Sequence, residues 1–127
     1  MKILRSEKGQ SMVEFAFTII FLLFFLMGIM ELSWLMGNKL LATHASREGA
    51  RYAAVHHVDD KGSWTNTKNR VTSSLLVKTG AVITVSTSGD AVIVQVSQNI
   101  NHLTGFIPSS VIANPFPINA KTTMKQE

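Results

Sequence analysis

No cysteine occurs anywhere in the chain, which excludes thiol nucleophiles, iron–sulfur clusters, cysteine-based zinc sites and disulfides together. An exported domain of this composition has to be held by packing or by assembly. A second long apolar run is missing as well, so one membrane pass is possible and two are not. Basic charge is present without being concentrated in the body of the chain. Twelve Lys and Arg stand against eight Asp and Glu, and Lys2, Arg5, Lys8 and Glu7 at the start supply +2 of the net +4. What is left is too mildly basic to make nucleic acid the default partner. With 127 residues, part of them spent on an apolar segment, the chain allows one small domain and leaves little room for a multi-step catalyst.

Residues 15–30, FAFTIIFLLFFLMGIM, carry no charge, and the run lengthens to residues 12–36 if Glu14 and Glu31 are tolerated inside it. As helix these two counts give roughly 24 Å and roughly 37 Å, on either side of the roughly 30 Å of a bilayer's hydrocarbon. Lys2, Arg5 and Lys8 come immediately before, and that excess of positive charge puts the N-terminus in the cytoplasm and the remainder outside. A cleaved secretory signal would end in a polar region with small residues at the cut. Here LSWLMGNKLLATHASREGARYAA continues as helix-compatible sequence with no turn before His56. A plain single-pass anchor is therefore a stronger alternative than a cleaved secretory signal.

The informative stretch is Lys8-Gly9-Gln10-Ser11-Met12-Val13-Glu14-Phe15, a basic leader, a Gly, and a carboxylate five residues beyond it. A carboxylate near lipid is costly and asks for a partner or an aqueous interface. Cutting after Gly9 creates such a partner, because the new α-amino group on Gln10 brings a positive charge that Glu14 of the same or a neighbouring helix can meet. Glu14 and Glu31 lie seventeen residues apart, roughly 26 Å along a helix, so both can also serve as markers of the two membrane interfaces. That interfacial role, with an exposed side chain, is the favoured expectation for Glu31, whereas for Glu14 the spacing from Gly9 favours assembly.

This pattern resembles type IV pilin-like proteins, and within them the TadE-like pseudopilins of the tight-adherence (Flp) pilus system. The likeness rests on GQSMVEFAF at residues 9–17, GIMEL at 28–32 and ASREGARYAA at 45–54. The resemblance implies cleavage between Gly9 and Gln10 by a prepilin peptidase, with Glu14 as the fifth-position acid and Glu31 as a second acid typical of the family. It implies other pilins or pseudopilins and an inner-membrane assembly platform as partners, and a place in the inner membrane before incorporation into an extracellular pilus. Two traits of many relatives are missing, a Pro near the position of Ile20 and Cys in the head.

Beyond the apolar run, Leu40, Leu41, Ala42, Ala45, Gly49, Tyr52 and Ala53 recur at steps of three and four, which predicts one continuing helix face to about Val55. Ala45, Gly49 and Ala53 form a stripe of small residues that admits close backbone approach, by the chain's own head, by a neighbouring helix or by both at once. Phe15 and Gly28 join them as helix-packing candidates, and Gly28 and Gly37 are positions where the helix can bend.

Residues 56–64, HHVDDKGSW, have loop composition. A short helix is predicted over 65–78 with Val71 and Leu75 inward and Gly80 as its left-handed stop. Residues 81–87 and 91–98 read as a hairpin across Ser88-Gly89-Asp90, with Val92, Val94 and Val96 on a face that the helix must cover. A loop containing three prolines comes next, and residues 118–125 alternate as a third strand. The expected fold is α+β: a long N-terminal helix, transmembrane and then amphipathic, a short second helix and a small three-stranded antiparallel sheet. It divides into a leader (1–9), a transmembrane and assembly helix (10–36) and an exported head (37–127).

Chemical sites are weakly supported. His44 and Glu48 at i and i+4, with His56 and His57 nearby, lack a third metal ligand at a compelling spacing. Asp59-Asp60-Lys61-Gly62 lacks the alternating oxygens of a calcium loop, and no phosphate-binding Gly-rich loop or hydrolase elbow occurs. Lys61, Lys68, Arg70 and Lys78 are scattered with hardly an aromatic platform among them, the pattern of a solvated face. The expectation is a non-enzyme with no cofactor, no metal, no nucleic acid and no small-molecule substrate.

Overall fold

The computed structural model describes residues 7–56, 58 and 63–126, with Glu7 and Lys8 described by their helical backbone alone. Most of the leader, His57 and the Asp59 to Gly62 stretch lie outside the described residues.

One helix, α1 (Glu7–Val55), takes up 49 residues, about 74 Å of rod. It runs through Gly28 and Gly37 without ending, because no proline interrupts it and glycine costs only about 1 kcal/mol each in a helix interior. Its two halves are solvated differently. Residues 15–30 carry no charge, and none of residues 9–30 is buried. From Glu31 onward a single seam turns inward: Glu31, Leu35, Asn38, Ala42, Ala45, Gly49 and Ala53 are buried at steps of three and four, the repeat that keeps one helix face on one partner. Leu40, placed on this face from the sequence, points outward and is 62% exposed, since the seam passes through Ala42 instead.

The partner is a three-stranded antiparallel sheet in the order β1 (Val82–Ser88), β2 (Ala91–Ile100), β3 (Phe116–Lys125). Val92, Val94 and Val96 alternate onto the covered face of central β2, each fully buried, as a period of two requires. In β3 the same face carries Ile118 and Ala120, with Thr122 and Met124 half-buried. Ser88 pairs with Ala91, so the turn is Gly89-Asp90 alone, and Gly89 takes a left-handed φ of 59° that a two-residue hairpin turn demands. The third strand starts two residues before the expected 118. It admits Pro117, opposite Asn99, because an edge strand has an unpaired side for a residue without N–H.

The second helix, α2 (Thr65–Ser73), is shorter than the 65–78 expected. At its end Thr72 Oγ1 donates to the Lys68 carbonyl at 2.8 Å, and the Ser73 and Ser74 hydroxyls both donate to the Arg70 carbonyl, at 2.7 and 3.2 Å. Val71 and Leu75 are buried as expected. Gly80, at φ 75°, leads into β1 and does not terminate the helix. Together α1, α2 and the sheet form the α+β fold inferred from the sequence.

Candidate functional site

The residues singled out from the sequence fall into three groups along α1. At the N-terminal end, Gly9, Gln10, Glu14 and Phe15 are all exposed. A Cβ built on Gly9 would meet nothing within 4 Å, and Phe15 is 68% exposed. Gln10 Nε2 donates to Glu14 Oε1 at 3.3 Å, one helical turn apart, so in the uncut chain the acid already holds a neutral donor from the residue that cleavage would make N-terminal. Thr18 Oγ1 donates to the Glu14 carbonyl at 2.9 Å. Gly28 is half-buried and open on its α-carbon side, with nothing within 4 Å of an added Cβ.

The second group is one residue, Glu31, and it corrects the reading from sequence. The exposed interface marker expected there is a fully buried carboxylate. Leu103 N–H donates to Oε1 at 2.8 Å, while Thr104 N–H and Thr104 Oγ1 donate to Oε2 at 2.9 and 2.6 Å. Both oxygens are thus satisfied by a loop more than seventy residues away, which is how a buried acid avoids the several kcal/mol that an unpaired one costs. Three residues further along α1, Trp34 Nε1 donates to the Asn101 carbonyl at 3.3 Å and ties down the start of the same loop. On the membrane side, the rings of Phe24 and Phe106 are tilted against each other with centroids 4.9 Å apart. The head therefore reaches back along α1 past residue 37, to Glu31 and then Phe24.

The third group, Ala45, Gly49 and Ala53, is buried against the chain's own head. A Cβ on Gly49 would collide with Val71 Cγ2 of α2 and come within 3.4 Å of Val94 Cγ1 of β2. Ser46 Oγ and Thr122 Oγ1, 2.7 Å apart, join the same seam to β3. Of the two uses open to the small-residue stripe, docking of its own head is the one the structure displays.

Arg70 Nε pairs with Glu48 Oε1 at 3.1 Å with both side chains largely solvated, and the Arg70 guanidinium lies 5.5 Å from the Tyr52 ring centre. Glu48 is thus engaged by a cation while His44 is exposed. Among the described residues no group of three His, Asp or Glu is placed to hold a metal. Two apolar hollows, about 540 and 470 Å³, are lined by Phe21, Phe25 and Ile29 on the bare half of α1 and by Leu32, Met36, Val111 and Phe116 beside the head. Neither gathers an acid, a base and a nucleophile.

The Glu31 contacts had little signal in the sequence. Residues 101–105 read as featureless loop, and only Thr104-Gly105, with Gly105 at φ 65°, hints at a turn that aims consecutive N–H groups one way.

Among the described residues α1 is the helix long and apolar enough to cross a membrane, and no residue of its most apolar stretch is buried. Joined without a break to a small head, it defines an α+β protein with one membrane-capable helix among the described residues. Residues 9–51 match the family model for TadE-like proteins, a stretch that takes in the bare half of α1, Glu14, Glu31 and most of the seam. No curated protein and no solved structure matches the chain significantly.

Proposed function

We propose that the chain is a pseudopilin-like subunit of a tight-adherence (Flp-type) type IV pilus or of its assembly machinery. One observation carries this reading: the TadE-like match covers a helix whose charge-free run, residues 15–30, has no buried residue and meets its own head only where Phe24 touches Phe106. Such a surface needs lipid before assembly and can exchange lipid for the helices of other subunits afterwards. In this reading a prepilin peptidase cuts between Gly9 and Gln10 at the cytoplasmic face of the inner membrane. Glu14 then exchanges its neutral contact with the Gln10 side chain for the new α-ammonium of its own or an adjacent chain. The head stays outside the membrane, the assembly platform and other pilins are its partners, and it performs no chemistry and takes no cofactor.

A second reading has its own observation. The Ala45–Gly49–Ala53 stripe is spent on the head, and Glu31 is sealed within the chain, so neither is free to recruit a neighbour. These favour a permanently anchored single-pass protein whose head binds a secretion-platform or cell-envelope partner. The intact mass of the protein isolated from its own membranes separates the two. Loss of residues 1–9 is the result expected for a subunit, and a full-length mass identifies an anchor.

A further inference from the structure

The loop that caps Glu31 has an unusual distribution of polarity. Its backbone is turned inward: the N–H groups of Leu103 and Thr104 go to the Glu31 carboxylate, and Phe106 N–H goes to Thr104 Oγ1 at 3.3 Å. Its apolar side chains are turned outward, with Leu103 51% and Phe106 39% exposed. A loop facing water has no need to satisfy its donors internally and gains nothing by presenting a Leu and a Phe. In contact with lipid the requirement reverses, because irregular backbone is tolerated at membrane depth only where its polar groups are paired.

The position agrees with that chemistry. Phe106 rests on Phe24, which lies within the charge-free run 15–30 and seven residues, roughly 10 Å, on the membrane side of Glu31. Segments that lie in a membrane interface sink about 5–10 Å into it. Trp34, bonded to Asn101 just above, has the amphipathic ring that is enriched at that boundary.

We propose that residues 103–107 are embedded in the bilayer edge on the head side, with Leu103 and Phe106 among the acyl chains, so that the head is seated on lipid through this loop as well as through α1. Glu31 then favours the insertion, by taking the Leu103 and Thr104 amide protons out of the membrane environment. This rests on α1 spanning the membrane, and the observation that selects lipid as occupant is the continuity of the Phe24–Phe106 contact with the lipid-facing surface of that helix.

The absence of cysteine makes a direct test available. Leu103→Cys and Phe106→Cys, each in the full chain and carrying a polarity-sensitive fluorophore, are placed one copy per phosphatidylcholine nanodisc. Quenching is read with doxyl groups set at shallow or deep acyl positions. Leu22→Cys serves as the membrane reference and Thr87→Cys as the water reference. The expected result is blue-shifted emission at 103 and 106 and shallow-doxyl quenching several-fold above that at 87, with deep quenching at 22. Because Phe106→Cys removes a ring contact, the outward-facing Leu103 position reports independently. Signals at both loop positions equal to those at 87, with 22 still quenched, overturn the inserted loop while leaving the spanning helix intact. An unquenched 22 overturns both. Shielding that arises only with two copies per disc also overturns it, and assigns the surface to a second chain.

Discussion

The Thr104 hydroxyl stands 2.6 Å from Oε2 of Glu31, a bond that joins residues 73 positions apart and fixes where the last third of the chain meets the long helix. Because the same carboxylate also takes two amide protons, its removal acts on three donors at once.

Glu31→Ala should therefore lower the stability of the head by about 3 kcal/mol, as buried donors left unpaired cost roughly 1–3 kcal/mol each and some will find water. Thr104→Val, which removes one donor and keeps both amides, should cost about 1 kcal/mol. Thermal unfolding in detergent micelles measures both. Amide exchange at Leu103 and Thr104 should accelerate in the first variant far more than in the second, and equal rates in the two would show that the carboxylate does not hold the loop.

Two glycines of one helix should respond with opposite signs. Gly49→Ala drives a methyl group into Val71 and should destabilise by about 1–3 kcal/mol, the range for overpacking. Gly37→Ala meets open space and should stabilise by up to about 1 kcal/mol through helix propensity alone. Adding Val71→Ala to Gly49→Ala should recover part of the loss, and a double-mutant cycle reads the coupling directly.

The Glu48–Arg70 pair should matter little. Both side chains are well solvated, so Arg70→Ala is expected to cost less than about 1 kcal/mol in low salt and still less at high salt. A loss of several kcal/mol, insensitive to salt, would mean that the Tyr52 contact and not the ion pair dominates.

At the N-terminal end the expectations concern processing. Gly9→Leu should leave full-length protein in the membrane and abolish piliation, read by intact mass and electron microscopy. Glu14→Ala should be cut normally yet enter filaments at reduced level, and unchanged incorporation would leave the acid as an interface marker.

Much of the fold was legible because it depends on local periodicity. The charge-free run, the three-and-four spacing of small residues through Ala53 and the alternating valines of β2 each state their element without reference to anything distant. The pairing of Glu31 could not be read in that way. Its spacing from Glu14 fits a bilayer, which suggested exposure, while its true partners sit in a loop with no period at all. For the small-residue stripe the sequence disclosed that something approaches closely but not what; only the position of Val71 answers that. The shortened α2 shows a third limit, since nothing in the periodicity of residues 65–78 marks Ser73 as the last helical residue.

The absence of any break in α1 gives the molecule a compass bearing. Phe24 is two turns from Glu31 and faces the same way, so the side of the rod that lies beneath the head is set by helical phase and not by a hinge. Any neighbour that approaches inside the bilayer must come to the remaining arc, and every such approach also dictates the direction in which the sheet points outside. A twist applied to the rod from the cytoplasmic side would turn the head by the same angle.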